Sequence, residues 1–443
     1  MRNLPILVLL VGATACGGTD PSASGVFPTA GFLGRSVRVE ISGDATEWGA
    51  SAKVSFGEGI TVDSVTVASP TALFADITIA DNAPIGLRDV VVTGGDNVTL
   101  KSAFEIESPI TITLRGSLAQ GSIAAVDVVN HDFDTPFDTT STGDGLFSPL
   151  VFTNITATAG NGVRVLVDNV SPYGLSATLL IDTDAQTGPL SFTSGPAGGE
   201  TLKFPLGADM AIAARTAMPL TAGTNATATS TKPLESFLYE YTPAAVPSLA
   251  RFQVGTSGDG SPRVALLPAT GHFDDLLAQG ADKRLIAKTS AKYYVVLFDL
   301  SGEIGSSTLR PTSLTLTAAA PETEGNNTPA TANTLTLPAF IDNATLSSDT
   351  DEDWFKFASA AGDSGKKNHV LTLPGDDFTD TVVDVKNGAG AVSLGGPSSD
   401  AGYHEDFTSS VIAASTNYTV QVTASSEAFD VSENHYTLVV FLE

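Results

Sequence analysis

Apolar residues recur at every second position in short runs along most of this chain. Val37, Val39 and Ile41 alternate with Arg38 and Glu40, and Ile110, Ile112 and Leu114 alternate with threonines. The sets Val163, Val165, Val167 and Tyr418, Val420, Val422 repeat the pattern. A period of two, rich in β-branched residues, predicts strands with one buried face. Turn formers separate the runs, among them Gly57-Glu58-Gly59, Gly94-Gly95-Asp96-Asn97, Gly195-Pro196-Ala197-Gly198-Gly199 and Asn387-Gly388. Many short strands with regular turns predict an all-β chain of tandem antiparallel β-sandwiches. Phe273 to Ala281 is the stretch that fits a short helix, too brief to change the class.

A chain of 443 residues accommodates roughly three or four domains, each able to bury a core. The pattern divides it into segments 26–107, 108–198, 199–319 and 320–443, each read as one sandwich. Residues 16–25, rich in Gly, Thr, Asp, Pro, Ser and Ala, read as a flexible spacer before the first. Residues 1–15 have the layout of a secretory leader: Arg2 gives a positive start, Leu4 to Val11 is almost wholly apolar, and Ala13-Thr14-Ala15 lead to Cys16. The apolar run is far short of the ~20 residues of a helical membrane span.

Cys16 is the only cysteine. The segment around it resembles the lipobox of bacterial lipoproteins, in which the cysteine becomes the first mature residue and carries the lipid. Ala13 departs from that pattern, which has leucine most often at this position. The resemblance implies an exported protein anchored by lipid at Cys16, in the outer membrane or at the cell surface. The plainer alternative is a leader cut near Ala13 or Ala15 that leaves a free thiol.

Charge narrows the partners. The formal charge is -27, spread along the chain, and charged residues make up only 16%. Such a chain repels phosphate backbones, so nucleic acid is not an expected partner. Divalent cations are compatible with it, although surface acid also serves solubility alone.

Two segments resemble known families. Phe27-Pro28-Thr29-Ala30-Gly31-Phe32-Leu33-Gly34, followed by the strand from Ser36 to Gly43, resembles the opening of IPT/TIG domains, which are immunoglobulin-like. Ala83-Pro84-Ile85-Gly86 and the strand after it resemble that family's penultimate strand. In the last segment, Pro321 to Asn333, then Asp351-Glu352-Asp353-Trp354-Phe355-Lys356-Phe357, then Asn417 to Val422 and Tyr436 to Val440 resemble the bacterial pre-peptidase C-terminal (PPC) domain. That family comprises jelly-roll-like β-sandwiches appended to exported proteins, some of them calcium-stabilised. The third segment echoes the fourth, with Phe252-Gln253-Val254 standing for Phe355-Lys356-Phe357 and Tyr293 to Leu297 for Tyr418 to Val422. It lacks the acidic opening block.

The PPC resemblance implies a calcium site built from Glu322, Glu324, Asn326, Asp351 and Asp353. Calcium takes about six to eight hard oxygens, and two loops offering carboxylates and an amide supply most of them. The competing reading makes these solvated loop residues beside a buried Trp354 and Phe355. A second acidic run, Asp127, Asn130, Asp132, Asp134 and Asp138, with His131 inside it, lacks the Gly and closing Glu of an EF-hand loop. Asp182 to Gly188 reads as a tight turn.

No catalytic motif is complete. Gly362-Asp363-Ser364-Gly365 copies four residues of a serine-protease motif but continues into Lys366-Lys367, without a matching histidine motif, and reads as a hairpin turn. The chain also lacks a Gly-x-Ser-x-Gly elbow and a His-Glu-x-x-His zinc helix. The expectation is therefore a non-enzymatic surface lipoprotein that displays sandwiches for binding or adhesion to an extracellular polysaccharide or protein. A scaffold role in an envelope or secretion assembly is the alternative, and a hydrolase hidden in residues 108–319 is a third reading. Of the two tryptophans, Trp354 is expected in a core. Trp48 is the better placed for an exposed stacking surface, against an edge-of-core position that weighs more.

Overall fold

A computed structural model describes residues 20–133, 162–171, 173–189, 193–194, 202–203, 211–256, 258–299, 301–348, 350–375, 380–398, 405–425 and 435–443. The leader, Cys16, Asp134 and Asp138 lie outside the described residues. Described regular structure is β-strand apart from one 3₁₀ turn, Phe273–Asp275. The helix expected from Phe273 to Ala281 does not form: after that turn the chain enters a strand at Ala278. No helix among the described residues is long and apolar enough to cross a membrane.

The first sandwich comprises β1 (Ser22–Phe27), β2 (Ala30–Phe32), β3 (Ser36–Asp44), β4 (Lys53–Ser55), β5 (Ile60–Ser69), β6 (Ala72–Ile79), β7 (Gly86–Thr93) and β8 (Val98–Glu107). One sheet runs β1-β3-β6-β5 and the other β2-β8-β7-β4, with β2 parallel to β8. β1 starts at Ser22 and pairs with β3, so the folded part begins inside the stretch read as spacer. The alternation of β3 puts Val39 and Ile41 into a core with Leu73, Ile77, Val90, Phe104 and Ile106. Trp48 is in that core at 3% exposure, its Nε1 donating to the Asp96 carbonyl, so it offers no exposed stacking surface. The room comes from Gly43, where a Cβ would sit 2.9 Å from Trp48 Cη2.

In the next segment β9 (Ile110–Arg115), β10 (Ser122–Asn130), β11 (Val163–Ser171) and β12 (Gly174–Ile181) form one sheet in the order β11-β12-β10-β9. Two small ribbons follow: β13 (Gly188–Pro189) pairs with β16 (Ala211–Ile212), and β14 (Thr193–Ser194) with β15 (Leu202–Lys203).

The third sandwich is built from β17 (Met218–Leu220), β18 (Ala226–Thr229), β19 (Phe237–Tyr241), β20 (Ser248–Thr256), β21 (Pro262–Leu267), β22 (Ala278–Gly280), β23 (Asp282–Ala287), β24 (Tyr293–Asp299) and β25 (Ser306–Thr315). Its sheets are β17-β19-β24-β21-β22 and β18-β25-β20-β23. The fourth contains β26 (Thr317–Ala318), β27 (Asn333–Thr334), β28 (Ala339–Thr345), β29 (Glu352–Ala358), β30 (Lys367–Pro374), β31 (Thr381–Asn387), β32 (Glu405–Val411), β33 (Asn417–Ala424) and β34 (His435–Leu442). Its sheets are β27-β29-β33-β31 and β26-β28-β34-β30-β32.

These two sandwiches share a topology. Setting aside the edge strands β22 and β26, β17-β19-β24-β21 matches β27-β29-β33-β31, and β18-β25-β20-β23 matches β28-β34-β30-β32. Even the parallel first strand recurs, β17 on β19 and β27 on β29. The expected echo therefore exists, but half of its register is wrong. Tyr241 faces Tyr293 as Phe357 faces Tyr418, so Tyr239-Glu240-Tyr241 is the counterpart of Phe355-Lys356-Phe357. Phe252-Gln253-Val254 lies on β20, in the opposite sheet.

Candidate metal centre

The residues expected to bind calcium sit at one end of the fourth sandwich. Along β29 the alternation sends Phe355 and Phe357 into the core, and Asp353 shares their side of the strand. A carboxyl is thereby drawn inside, fully buried. Its counterpart in the third sandwich, two positions before Tyr239, is Phe237.

Glu322, Glu324 and Asp353 each bring a carboxylate oxygen within 4.8 Å of the others. Glu322 accepts from the Thr345 amide at 2.7 Å and from Asn326 Nδ2 at 2.9 Å. Glu324 accepts from Thr345 Oγ1 at 3.1 Å, and Asp353 Oδ2 from the Tyr436 hydroxyl at 2.7 Å. Asn326 is also fully buried. Asn326 Oδ1 and Asp353 Oδ1 are buried oxygens that no donor among the described residues reaches. A buried unpaired acceptor is costly, about 1–3 kcal/mol and more for a charged group.

Electrostatics point the same way. Burial, reinforced by the charge of Glu322, pushes the Asp353 carboxyl up to about 9. Burial raises Glu322 as well, and raises the Tyr436 phenol well above its ordinary value. No ion pair among the described residues involves Glu322, Glu324 or Asp353. Three carboxylates and the Asn326 amide oxygen, with Asn326 Oδ1 and Asp353 Oδ1 as the orphaned acceptors among them, form a set of hard oxygens, which fits a divalent cation of the calcium type.

Asp351 does not join them. Its Oδ1 accepts from Asn327 Nδ2 and the Glu352 amide, and its Oδ2 from the amide and hydroxyl of Ser347, so it ties together the loop before β29. Trp354 is buried at 5% exposure but points away from the sandwich core. Lys386 Nζ lies 4.9 Å from the centre of its ring, and Pro329 and Gly390 lie close by. Sequence reasoning missed Thr345 and Tyr436 as partners of the acidic groups, and no local signal marks either.

A second cluster able to hold an ion by its geometry is Asp182, Asp184 and His272. His272 Nε2 lies 3.2 Å from Asp184 Oδ2, an interaction that raises the imidazole's affinity for a proton. Asp182 Oδ1 accepts from the Phe273 amide. Thr183 and Asp184 form a turn, as expected.

The other motifs resolve into structure. Asp127 pairs with Arg115 and Asp132 with Arg35, while Asn130 Oδ1 accepts from the Asp132 amide and His131 meets Thr111. Gly362 to Gly365 is a tight turn in which Asp363 accepts from the Ala360 amide and pairs with Lys366. It connects β29 to β30 in the opposite sheet, so it is a crossing between layers and not a hairpin.

No family model matches the chain, and no curated protein matches it. Among solved structures the chain is similar to SGBP-B of the Bacteroides ovatus mixed-linkage glucan utilization locus, in complex with a mixed-linkage heptasaccharide. Identity is 11%, over 66% of this chain and 74% of that one, with a TM-score of 0.17. It is also similar to domains 5–6 of the S-layer protein SbsC, with 14% identity over 44% of this chain and 100% of that one and a TM-score of 0.16. For the I9–I11 tandem of titin the identity is 10%, over 68% of this chain and 98% of that one, with a TM-score of 0.19. Superpositions at such scores carry no functional argument, and the all-β assignment rests on the strands themselves.

Proposed function

We propose that this chain is a lipid-anchored surface protein of tandem β-sandwiches that binds an extracellular polysaccharide or protein without catalysing a reaction, and that calcium holds its last sandwich in shape. The leader and Cys16 supply the anchor. Glu322, Glu324, Asp353 and Asn326 supply the calcium ligands, in the manner of the PPC domains that the last segment resembles. The observation that carries the metal is the pair of buried, unpartnered oxygens, Asn326 Oδ1 and Asp353 Oδ1, among carboxylates that no cationic side chain among the described residues pairs with. Calcium offsets both the like charge and the missing donors, so it acts as a structural staple.

The test uses purified residues 17–443, incubated in calcium or in chelator with envelope and matrix fractions of the producing cell. Saturable retention on a polysaccharide or matrix protein, lost in chelator, is the expected result. No retention in either condition overturns the binding role. Titration calorimetry with calcium alone tests the site, and absence of binding overturns it.

A further inference from the structure

Ala214–Glu443, the third and fourth sandwiches, belong to one compact unit. We infer that the third sandwich is the permanent cover of the fourth: two copies of one module, joined through equivalent sheets, of which the copy without the acidic opening block serves as the partner of the other.

Three observations carry this. The first is an apolar cluster made by outer sheet faces, separate from either sandwich core. Leu249 on β20, Ile286 on β23 and Leu316 just after β25 pack with Phe340 on β28, Leu371 on β30, and Val439 and Phe441 on β34. Both faces come from the matching sheets β18-β25-β20-β23 and β28-β34-β30-β32. A free fourth sandwich would expose Phe340, Leu371, Val439 and Phe441 on one face, a patch that soluble modules cover.

The second observation is charge. On the third sandwich the rim of this face carries Arg251, Arg284 and Lys288, with Asp282 beside Arg251. On the fourth it carries Asp342, Asp406 and Glu443, with His369. They meet as Lys288–Asp342 at 2.6 Å, Arg284–Asp406 at 2.7 Å and Arg251–Glu443 at 2.5 Å. Arg284 also lies over the Phe441 ring, 5.7 Å from its centre. Two fourth sandwiches would bring acid against acid, so the face selects the unlike copy over its own kind.

The third is a shared strand. Immediately after β25, the linker forms β26, which pairs in parallel with β28 at the edge of the fourth sandwich's sheet. Leu316 meanwhile donates its amide to the Pro247 carbonyl, just before β20. The connection is thus bonded into both halves, and strand addition strengthens the pairing of faces.

This assignment is tested in the full chain with a protease recognition sequence inserted between Ala320 and Pro321. After cleavage the two halves are expected to elute together as one species of the intact size. Elution as two folded species overturns the proposal. Arg284→Glu should weaken association of the halves by at least about tenfold on dilution, and adding Asp406→Arg should recover part of the loss. Lys288→Glu, at a more exposed position, gives a milder loss should Arg284→Glu prevent folding. Co-elution unaffected by either substitution at every dilution also overturns the proposal, because the halves would then be held by another surface.

Discussion

Asp353 is an acid that the fold holds in a place hostile to its charge. Without a metal, burial and Glu322 keep its proton on to about pH 9, far above the ordinary carboxyl range. A folded-state pKa above the unfolded one means that the folded state binds more protons, so stability falls as pH rises between the two values. The chelated protein should therefore melt at a lower temperature at roughly pH 8 than at pH 5.5, and saturating calcium should abolish or reverse that slope. Asp353→Asn should raise or leave unchanged the midpoint in chelator at pH 8, while removing about 2–3 kcal/mol of calcium-dependent stabilisation. Denaturant melts in calcium and in chelator measure both; a variant that keeps the full calcium shift would exclude Asp353 as a ligand. Most of this acidic cluster was legible in the sequence, because Glu322, Glu324 and Asn326 form a dense block and Asp353 directly precedes Trp354 and Phe355. Asp351 misled, since two acids in one short run look alike until the loop takes the four acceptor sites of one and the strand turns the other inward. Tyr436 lies 83 residues from Asp353, beyond the reach of any local pattern.

Strands were easier to read than their pairing. The alternation at Val37 to Ile41 and Tyr418 to Val422 reports which face is buried, and β3 and β33 bear it out. It does not say which strand lies alongside. Tyr239-Glu240-Tyr241 and Phe252-Gln253-Val254 both read apolar-polar-apolar, and only the ladder of β19 with β24 separates them. Pairing also decides the surroundings of His369 on β30. The ring stacks on Phe441 at 4.9 Å and hydrogen-bonds with Thr408, both of its own sandwich, while Arg284 and Arg251 of the third sandwich, with Glu443 and Asp406, stand around it. Burial, then the charge of Arg284, lowers its pKa. The unfolded chain then takes up the proton first, so stability present above about pH 6.5 is lost as pH falls from there through the lower folded-state value. His369→Gln should flatten the acid limb of the stability profile between roughly pH 7 and pH 5, as read by chemical denaturation. An unchanged limb would place its origin elsewhere, among the carboxylates.

At the scale of the molecule, the two tryptophans report on different bodies. Trp48 is locked in the core of the first sandwich, whose buried cluster runs from Val26 to Ile106. Trp354 is in the fourth, on the strand that carries Asp353. A core is a cooperative unit of stability, and an ion that binds only the folded form stabilises the unit containing its site by RT ln(1 + [L]/Kd). The third sandwich shares a second apolar cluster with the fourth, so the stabilisation should extend to it, whereas the first sandwich has no part in that cluster. In Trp48→Phe, where Trp354 alone fluoresces, the unfolding midpoint should rise with calcium. In Trp354→Phe, where Trp48 alone fluoresces, it should not. If the Trp48 signal shifts equally, the stabilisation is a general effect of screening a chain of formal charge -27, and magnesium at the same ionic strength should then reproduce it. If only the Trp354 signal moves, and Asp353→Asn stops it, the effect belongs to one site. The third sandwich can be followed in the same melt through hydrogen exchange of β20 and β25: protection that rises with calcium in these strands, which contribute no residue to the site, is the signature of two modules unfolding as one.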